Sequence, residues 1–170
     1  MKKLIVLLSL TCFLYCDKEN KTQETEKYFD PDKLELLDLA NIEGFWEQGE
    51  YIDTSYSIGS IFENRPGFLD GIRLYSESKA VWITIFSTQD SAINAMEYRI
   101  NNVAGVIFEG TSDIINGLWW YSISYPAGVY LIQWNTILEI KYYNTRLDEV
   151  EPVIYNIANE VAGRVDELSE

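Results

Sequence analysis

Five short runs of β-branched and aromatic residues constrain the fold of this chain most strongly. The clearest, Ala80 to Phe86, is too short for a helix and is apolar at nearly every position, which is typical of a strand near the centre of a sheet. Glycine, proline and asparagine separate the four runs that follow, at Val103 to Phe108, Leu118 to Ser124, Val129 to Trp134 and Ile137 to Tyr143. The pattern predicts a mainly antiparallel sheet of about five strands, with Asn135-Thr136 as a hairpin turn.

Two amphipathic helices accompany these strands. Thr88 can cap the first, predicted over about 89–102, and Asp148 to Glu151 resembles a capping box for the second, predicted over 148–168. The second helix carries one apolar stripe, made of Val150, Ile154, Ile157, Val161, Val165 and Leu168. Because a sheet face is the natural partner for such a stripe, we expect an α+β fold with both helices packed on one face.

The first 16 residues have the order of an export signal. Lys2 and Lys3 precede a mostly apolar run of 12 residues, Leu4 to Tyr15, and charged residues follow Cys16. The run is shorter than the ~20 residues that a membrane-spanning helix needs. It therefore predicts a signal peptide at 1–15.

This leader resembles that of bacterial lipoproteins, in which the signal ends at a cysteine that is acylated and becomes the first mature residue. The likeness covers about 20 residues and departs from the usual pattern at Tyr15, where a small residue normally precedes the cysteine. It implies a lipid anchor on Cys16 and a place in the cell envelope, on the extracytoplasmic side of a membrane. An ordinary secretory signal is the alternative, and it also exports the protein.

The residues after the leader divide into a tether and a domain. Residues 16–32 combine the cysteine with a charged segment that has few apolar side chains, which is typical of a flexible tether. Residues 33–170 suffice for one domain. The fold of residues 33–76 is less regular in pattern, with one short helical turn predicted near Leu34 to Leu39.

Composition excludes several classes of function. The chain has 27 acidic against 13 basic residues, a net charge of −14, which disfavours binding to nucleic acid because that binding depends on Lys and Arg. It has no histidine, and its two cysteines, Cys12 and Cys16, both lie within the first 16 residues. The predicted domain therefore lacks the usual zinc ligands and the base of most Ser and Cys hydrolases. We expect no metal, no cofactor and no catalytic residue.

One face of the predicted sheet is a candidate binding surface. Side chains alternate between faces along a strand, so Val81, Ile83 and Ile85 form an aliphatic face while Trp82 and Phe86 lie on the other. The candidate residues for this aromatic face are Trp82, Phe86, Trp119, Trp120, Tyr121, Trp134 and Tyr143, and the alternation allows only one member of the Trp119-Trp120 pair to lie on it. The competing interpretation is that residues 33–76 fold across this face and bury it.

The sequence favours a membrane-tethered envelope lipoprotein that binds a partner protein or a small ligand without catalysing a reaction. A structural or assembly accessory of the envelope is the first alternative. A carboxylate-based hydrolase of envelope material is the second, although 27 acidic residues single out no catalytic pair.

Lipidation at Cys16 is directly testable. Mass spectrometry of the full chain expressed in a bacterial host should show a mature terminus at Cys16 that carries acyl chains, and the Cys16→Ala variant should lose both. A soluble, unlabelled wild-type protein that is cleaved elsewhere would contradict the lipoprotein interpretation.

Overall fold

A computed structural model describes residues 27–56, 61–102, 106–110, 117–122, 127–143 and 145–170, with the backbone alone at 56, 106–110, 117–122 and 147–148. The leader, Cys16 and most of the expected tether lie outside the described residues. Within them, no helix is long and apolar enough to cross a membrane.

Seven strands form one sheet in the described part of the chain. They are β1 (Asp53–Tyr56), β2 (Phe68–Tyr75), β3 (Lys79–Phe86), β4 (Val106–Gly110), β5 (Gly117–Ser122), β6 (Ala127–Gln133) and β7 (Thr136–Tyr142). Their order across the sheet is β1-β2-β3-β7-β6-β5-β4, and every neighbouring pair is antiparallel. The five predicted strands are β3 to β7, and β1 and β2 extend the sheet beyond them.

Two α-helices, α1 (Gln89–Asn102) and α2 (Leu147–Leu168), occupy the predicted positions, so the α+β class is confirmed. Thr88 caps α1, since its Oγ1 accepts from the amide of Ser91 at 3.1 Å. The predicted capping box of α2 is wrong. The cap position is Arg146, and its side chain makes no capping hydrogen bond.

The two helices do not share one face of the sheet. Buried residues of α2 pack with Val81, Ile83, Leu138 and Ile140, which define the α2 face. Buried residues of α1 pack with Phe86, Tyr130, Ile132 and Ile137, which define the α1 face. These two sets alternate along the same strands, so they point in opposite directions. The predicted packing is wrong because α1 connects β3 to β4 at the far edge of the sheet and crosses the second face.

The segment before β1 covers the α2 face rather than the aromatic one. It forms two short 3₁₀ helices, Pro31–Leu37 and Leu39–Asn41, in the region where one helical turn was predicted. Its buried side chains join the core on the α2 face: Phe29, Leu34, Leu37, Leu39, Ile42 and Phe45. Phe62 and Phe68 instead join α1 on the opposite face. Residues 33–76 are thus divided between both faces.

The packed domain begins before residue 33. Tyr28 and Glu170 exchange two backbone hydrogen bonds, of 2.8 and 3.1 Å, so the start and end of the domain pair with each other. Phe29 is fully buried. Residues 27–32, which were expected in the tether, therefore belong to the domain in this structure.

Asn135 joins three parts of the fold. Its Oδ1 accepts from the amide of Phe29 at 2.7 Å, and its Nδ2 donates to the carbonyls of Phe29 and Phe86 at 3.1 and 2.7 Å. The turn that carries it is Trp134-Asn135, since Gln133 pairs with Thr136, so the predicted turn at Asn135-Thr136 is shifted by one residue. Trp134 accordingly adopts a left-handed backbone, with φ of 53°.

Replacing Asn135 by Ala should destabilise the fold by about 3 kcal/mol, because the buried amide and carbonyl of Phe29 and the carbonyl of Phe86 each lose a side-chain hydrogen bond. Urea unfolding followed by tryptophan fluorescence measures this loss. Asn94→Ala, at an exposed position on α1, is the control and should change the free energy of unfolding by less than about 0.7 kcal/mol. Equal effects of the two substitutions would contradict the role given to Asn135.

Candidate functional site

An open cleft of about 780 Å³ lies where the β2–β3 turn meets the segment before β1. We call it the acidic cleft, and its lining residues are Glu47, Gln48, Gly49, Glu50, Tyr51, Asp53, Tyr75, Ser76, Glu77 and Ser78. Four of these ten are carboxylates. The ring of Tyr51 is 81% exposed and offers an aromatic surface beside them.

The turn that carries Glu47 and Glu50 is held by its own backbone. Gly49 has a φ of 82°, a conformation that a residue with a side chain rarely adopts. The amide of Glu50 donates to the carbonyl of Glu47 at 3.0 Å, and the amide of Glu47 donates to Glu50 Oε2 at 2.8 Å. The local sequence therefore fixes Glu50 inward, while the side chain of Glu47 stays 81% exposed.

Lys79 lies beneath this turn and is almost fully buried. Its Nζ donates to the carbonyl of Phe45 at 2.6 Å and lies 3.4 Å from Glu50 Oε2 and 3.8 Å from Glu47 Oε1. The ring of Tyr142 is 5.9 Å away, and burial together with the charge of Glu50 raises the pKa of Tyr142 to about 12. Lys79 thus opposes two of the four carboxylates, and Arg73, whose guanidinium lies 3.9 Å from the ring of Tyr75, adds a second positive charge, so the cleft remains negative.

Asp53 and Tyr75 form the opposite wall. They are cross-strand partners of β1 and β2, and the hydroxyl of Tyr75 donates to Asp53 Oδ2 at 2.8 Å. This hydrogen bond is the main reason that the pKa of Tyr75 lies above its ordinary value. Tyr75 therefore stays neutral at physiological pH, and its hydrogen bond fixes the position of the Asp53 side chain in the cleft wall.

Two of the predicted aromatic residues, Phe86 and Trp134, are buried in the core. Phe86 is fully buried beneath α1. Trp134 is buried in the core of the α2 face, where its Nε1 donates to Asp166 Oδ1 at 2.8 Å. Neither can contact a ligand in this fold.

Trp82 and Tyr143 do lie near each other, and both are half-buried. Lys141 Nζ is 5.5 Å from the ring of Trp82 and 5.8 Å from that of Tyr143, while the guanidinium of Arg73 is 4.8 Å from Trp82. These cations cover the indole. For the strand β5, Trp119 pairs with Tyr130, Trp120 with Val129 and Tyr121 with Gly128, and their side chains lie outside the described residues.

Sequence reasoning missed the acidic cleft. Its residues come from two segments, 47–53 and 75–78, that only the β1–β2 pairing brings together. The single local signal was the concentration of acidic and small residues around Gly49 and in the Ser76 to Ser78 turn. Among the described residues, no three carboxylates are grouped closely enough to hold a metal ion.

No known protein-family model matches this chain, and no curated protein matches it either.

The ionised form of Glu50 should stabilise the fold in a pH-dependent way. Burial alone would raise the pKa of Glu50, but hydrogen bonds from Ser76, the Glu47 amide and Ser78, with the charge of Lys79, hold it below its ordinary value of 4.5. A carboxyl group with a lowered pKa stabilises the fold above its unfolded pKa, and the contribution disappears as pH falls through the folded pKa.

The free energy of unfolding should therefore be higher for the wild type than for Glu50→Gln near pH 7, and this difference should shrink steadily below about pH 4.5. Urea titrations of both proteins across this range measure it. A difference that grew on acidification would show that the pKa of Glu50 is raised instead.

Proposed function

We propose that this chain is an exported, lipid-anchored envelope protein that acts as a non-enzymatic binding module and takes a cationic group of its partner in the acidic cleft. The observation that supports the cleft most directly is the exposed side chain of Tyr51 beside four carboxylates, which outnumber the neighbouring cations Lys79 and Arg73. Ammonium and guanidinium groups are attracted both to carboxylates and to aromatic faces. A basic side chain of an envelope protein fits this combination.

The position of the cleft supports a role facing away from the bilayer. The domain begins at Lys27 and Phe29, which contact α2 and Asn135 near the Phe86 end of β3. The acidic cleft lies around Lys79, at the other end of the same strand. Eight residues of strand separate these ends by about 23 Å. A lipid on Cys16 would thus hold the near end toward the membrane and present the cleft to a partner beyond it.

Charge also favours this arrangement. A strongly acidic protein is repelled by anionic headgroups and attracts basic partners over a distance of about one Debye length, ~8 Å at physiological salt. The anchor would then supply membrane attachment while the cleft supplies recognition. No step of this proposal requires a bond to be made or broken in the ligand.

Spermine is a suitable probe for the cleft, because it is a polycation without a peptide backbone. Calorimetry with the full chain in non-ionic detergent should give a dissociation constant that rises about fivefold in Glu47→Gln/Glu77→Gln, since each lost charge costs roughly 0.5 kcal/mol.

The matched control is Glu97→Gln/Glu167→Gln, which removes the same charge from exposed positions on α1 and on the last turn of α2, at the end of the domain where Asp166 contacts Lys27. Its dissociation constant should stay within about twofold of the wild type, since the lost charges are remote from the cleft. Equal weakening in both double variants would mean that spermine responds to net charge alone, and the cleft would lose its role.

A further inference from the structure

The outer edge of β1 is a second feature of the region around the cleft. Among the described residues, β1 pairs with β2 on one side and with no strand on the other. Natural sheets commonly block such edges with lysine, proline, a bulge, a charged side chain or a very short strand. The four residues of β1 include neither lysine nor proline, and the amide of Thr54 donates to Asp53 Oδ1 at 2.9 Å, so an added strand has to displace this one side-chain contact. An open edge of this kind can accept an extended peptide as an additional strand.

A groove of about 360 Å³ lies on the α2 side of this edge. We call it the β1 groove, and it is lined by Leu34, Glu35, Asp38, Leu39, Ala40, Thr54, Ile72 and Leu74. Ile72 and Leu74 supply an apolar floor from β2, while Glu35 and Asp38 add negative charge.

Neighbouring residues of β1 point to these two different places. Asp53 lines the acidic cleft, and Thr54 lines the β1 groove. A strand added beside β1 alternates in the same way, so one set of its side chains extends toward the apolar groove and the other toward Asp53. Arg73 is the cross-strand partner of Ser55. Its positive charge disfavours a second basic side chain of the added strand next to Ser55, on the face that carries Asp53.

We propose that the partner is an extended basic peptide segment that adds to the edge of β1, placing aliphatic side chains in the β1 groove and a terminal Lys or Arg in the acidic cleft. This proposal rests on the proposed function and specifies the partner. Charge complementarity selects the occupant. A second copy of this chain, with a net charge of −14, would bring further carboxylates to an already negative edge.

The probe is a synthetic peptide of the order Val-Thr-Val-Thr-Val-Lys, blocked at both ends. It places the valines on one face and a single lysine at one end of the other face, so pairing of the lysine with Asp53 fixes one strand direction. Binding to the full chain in non-ionic detergent is measured by fluorescence anisotropy. Hydrogen exchange should show slower exchange of the amides at 53–56 in the complex.

Two N-methylated versions of this peptide test strand addition. Methylating the three valines blocks one edge of the peptide, and methylating the two threonines blocks the other. Because only one edge can face β1, one version should lose about tenfold or more in affinity while the other stays within about threefold. Equal losses, or no binding by the parent peptide, would overturn strand addition.

The outcomes separate this inference from the proposed function. If spermine binding depended on Glu47 and Glu77 while both methylated peptides lost the same affinity, the cleft would stand as a cation site. Strand addition at the edge would be rejected. If spermine did not bind the wild type, but the peptide bound and only one methylated version lost affinity, strand addition at the edge would stand. The cleft would then be rejected as a cation site. If sedimentation experiments showed a dimer that the peptide dissociates, the β1 edge would be the contact between two copies of the chain. That result would overturn the proposal of a basic peptide as the partner.

Discussion

Burial of the central strands on both faces is the constraint on which the rest of this fold depends. β3 is apolar at nearly every position, and residues such as Val81 and Phe86 that point to opposite faces are all removed from water. Each face therefore needs its own cover. The segment from Phe29 to Phe45 covers one together with α2, and α1 covers the other with Phe62 and Phe68. The Lys79 end of β3 and the outer edge of β1 are the parts of the sheet where the acidic cleft and the β1 groove lie.

Most of the regular elements could be predicted because their signals are local. The residues of β3 and α1 carry the periodicity of their own element, and β3, α1 and α2 lie within a residue or two of the predicted bounds. The assignment of helices to faces could not be predicted in this way. It depends on the order of strands across the sheet, and α1 crosses to the second face because β4 lies at the far edge.

The candidate site shows the same division between local and non-local information. Trp134 belonged to an aromatic run in the sequence, but a one-residue shift of the turn places it in a left-handed conformation with its indole against Asp166. Conversely, the sequence around Tyr51 and Asp53 predicted no more than a connector or short strand, and these residues line one cleft only because β1 pairs with β2. Whether an aromatic residue is exposed depends on the covering segment rather than on the strand that carries it.

Lys79 connects the core of the protein to its acidic rim. A buried ammonium is costly unless it is hydrogen-bonded and paired, and Lys79 has both the carbonyl of Phe45 and the carboxylate of Glu50. The pairing fixes the Glu47–Glu50 turn against the end of β3, so the lysine organises the cleft without neutralising it. Glu47, Glu77 and Asp53 remain at the rim, where a cation from a partner would complete the charge pattern that Lys79 only begins. An internal cation therefore shapes the site, and the negative charge that it leaves at the rim is the basis for proposing an external cation as the ligand.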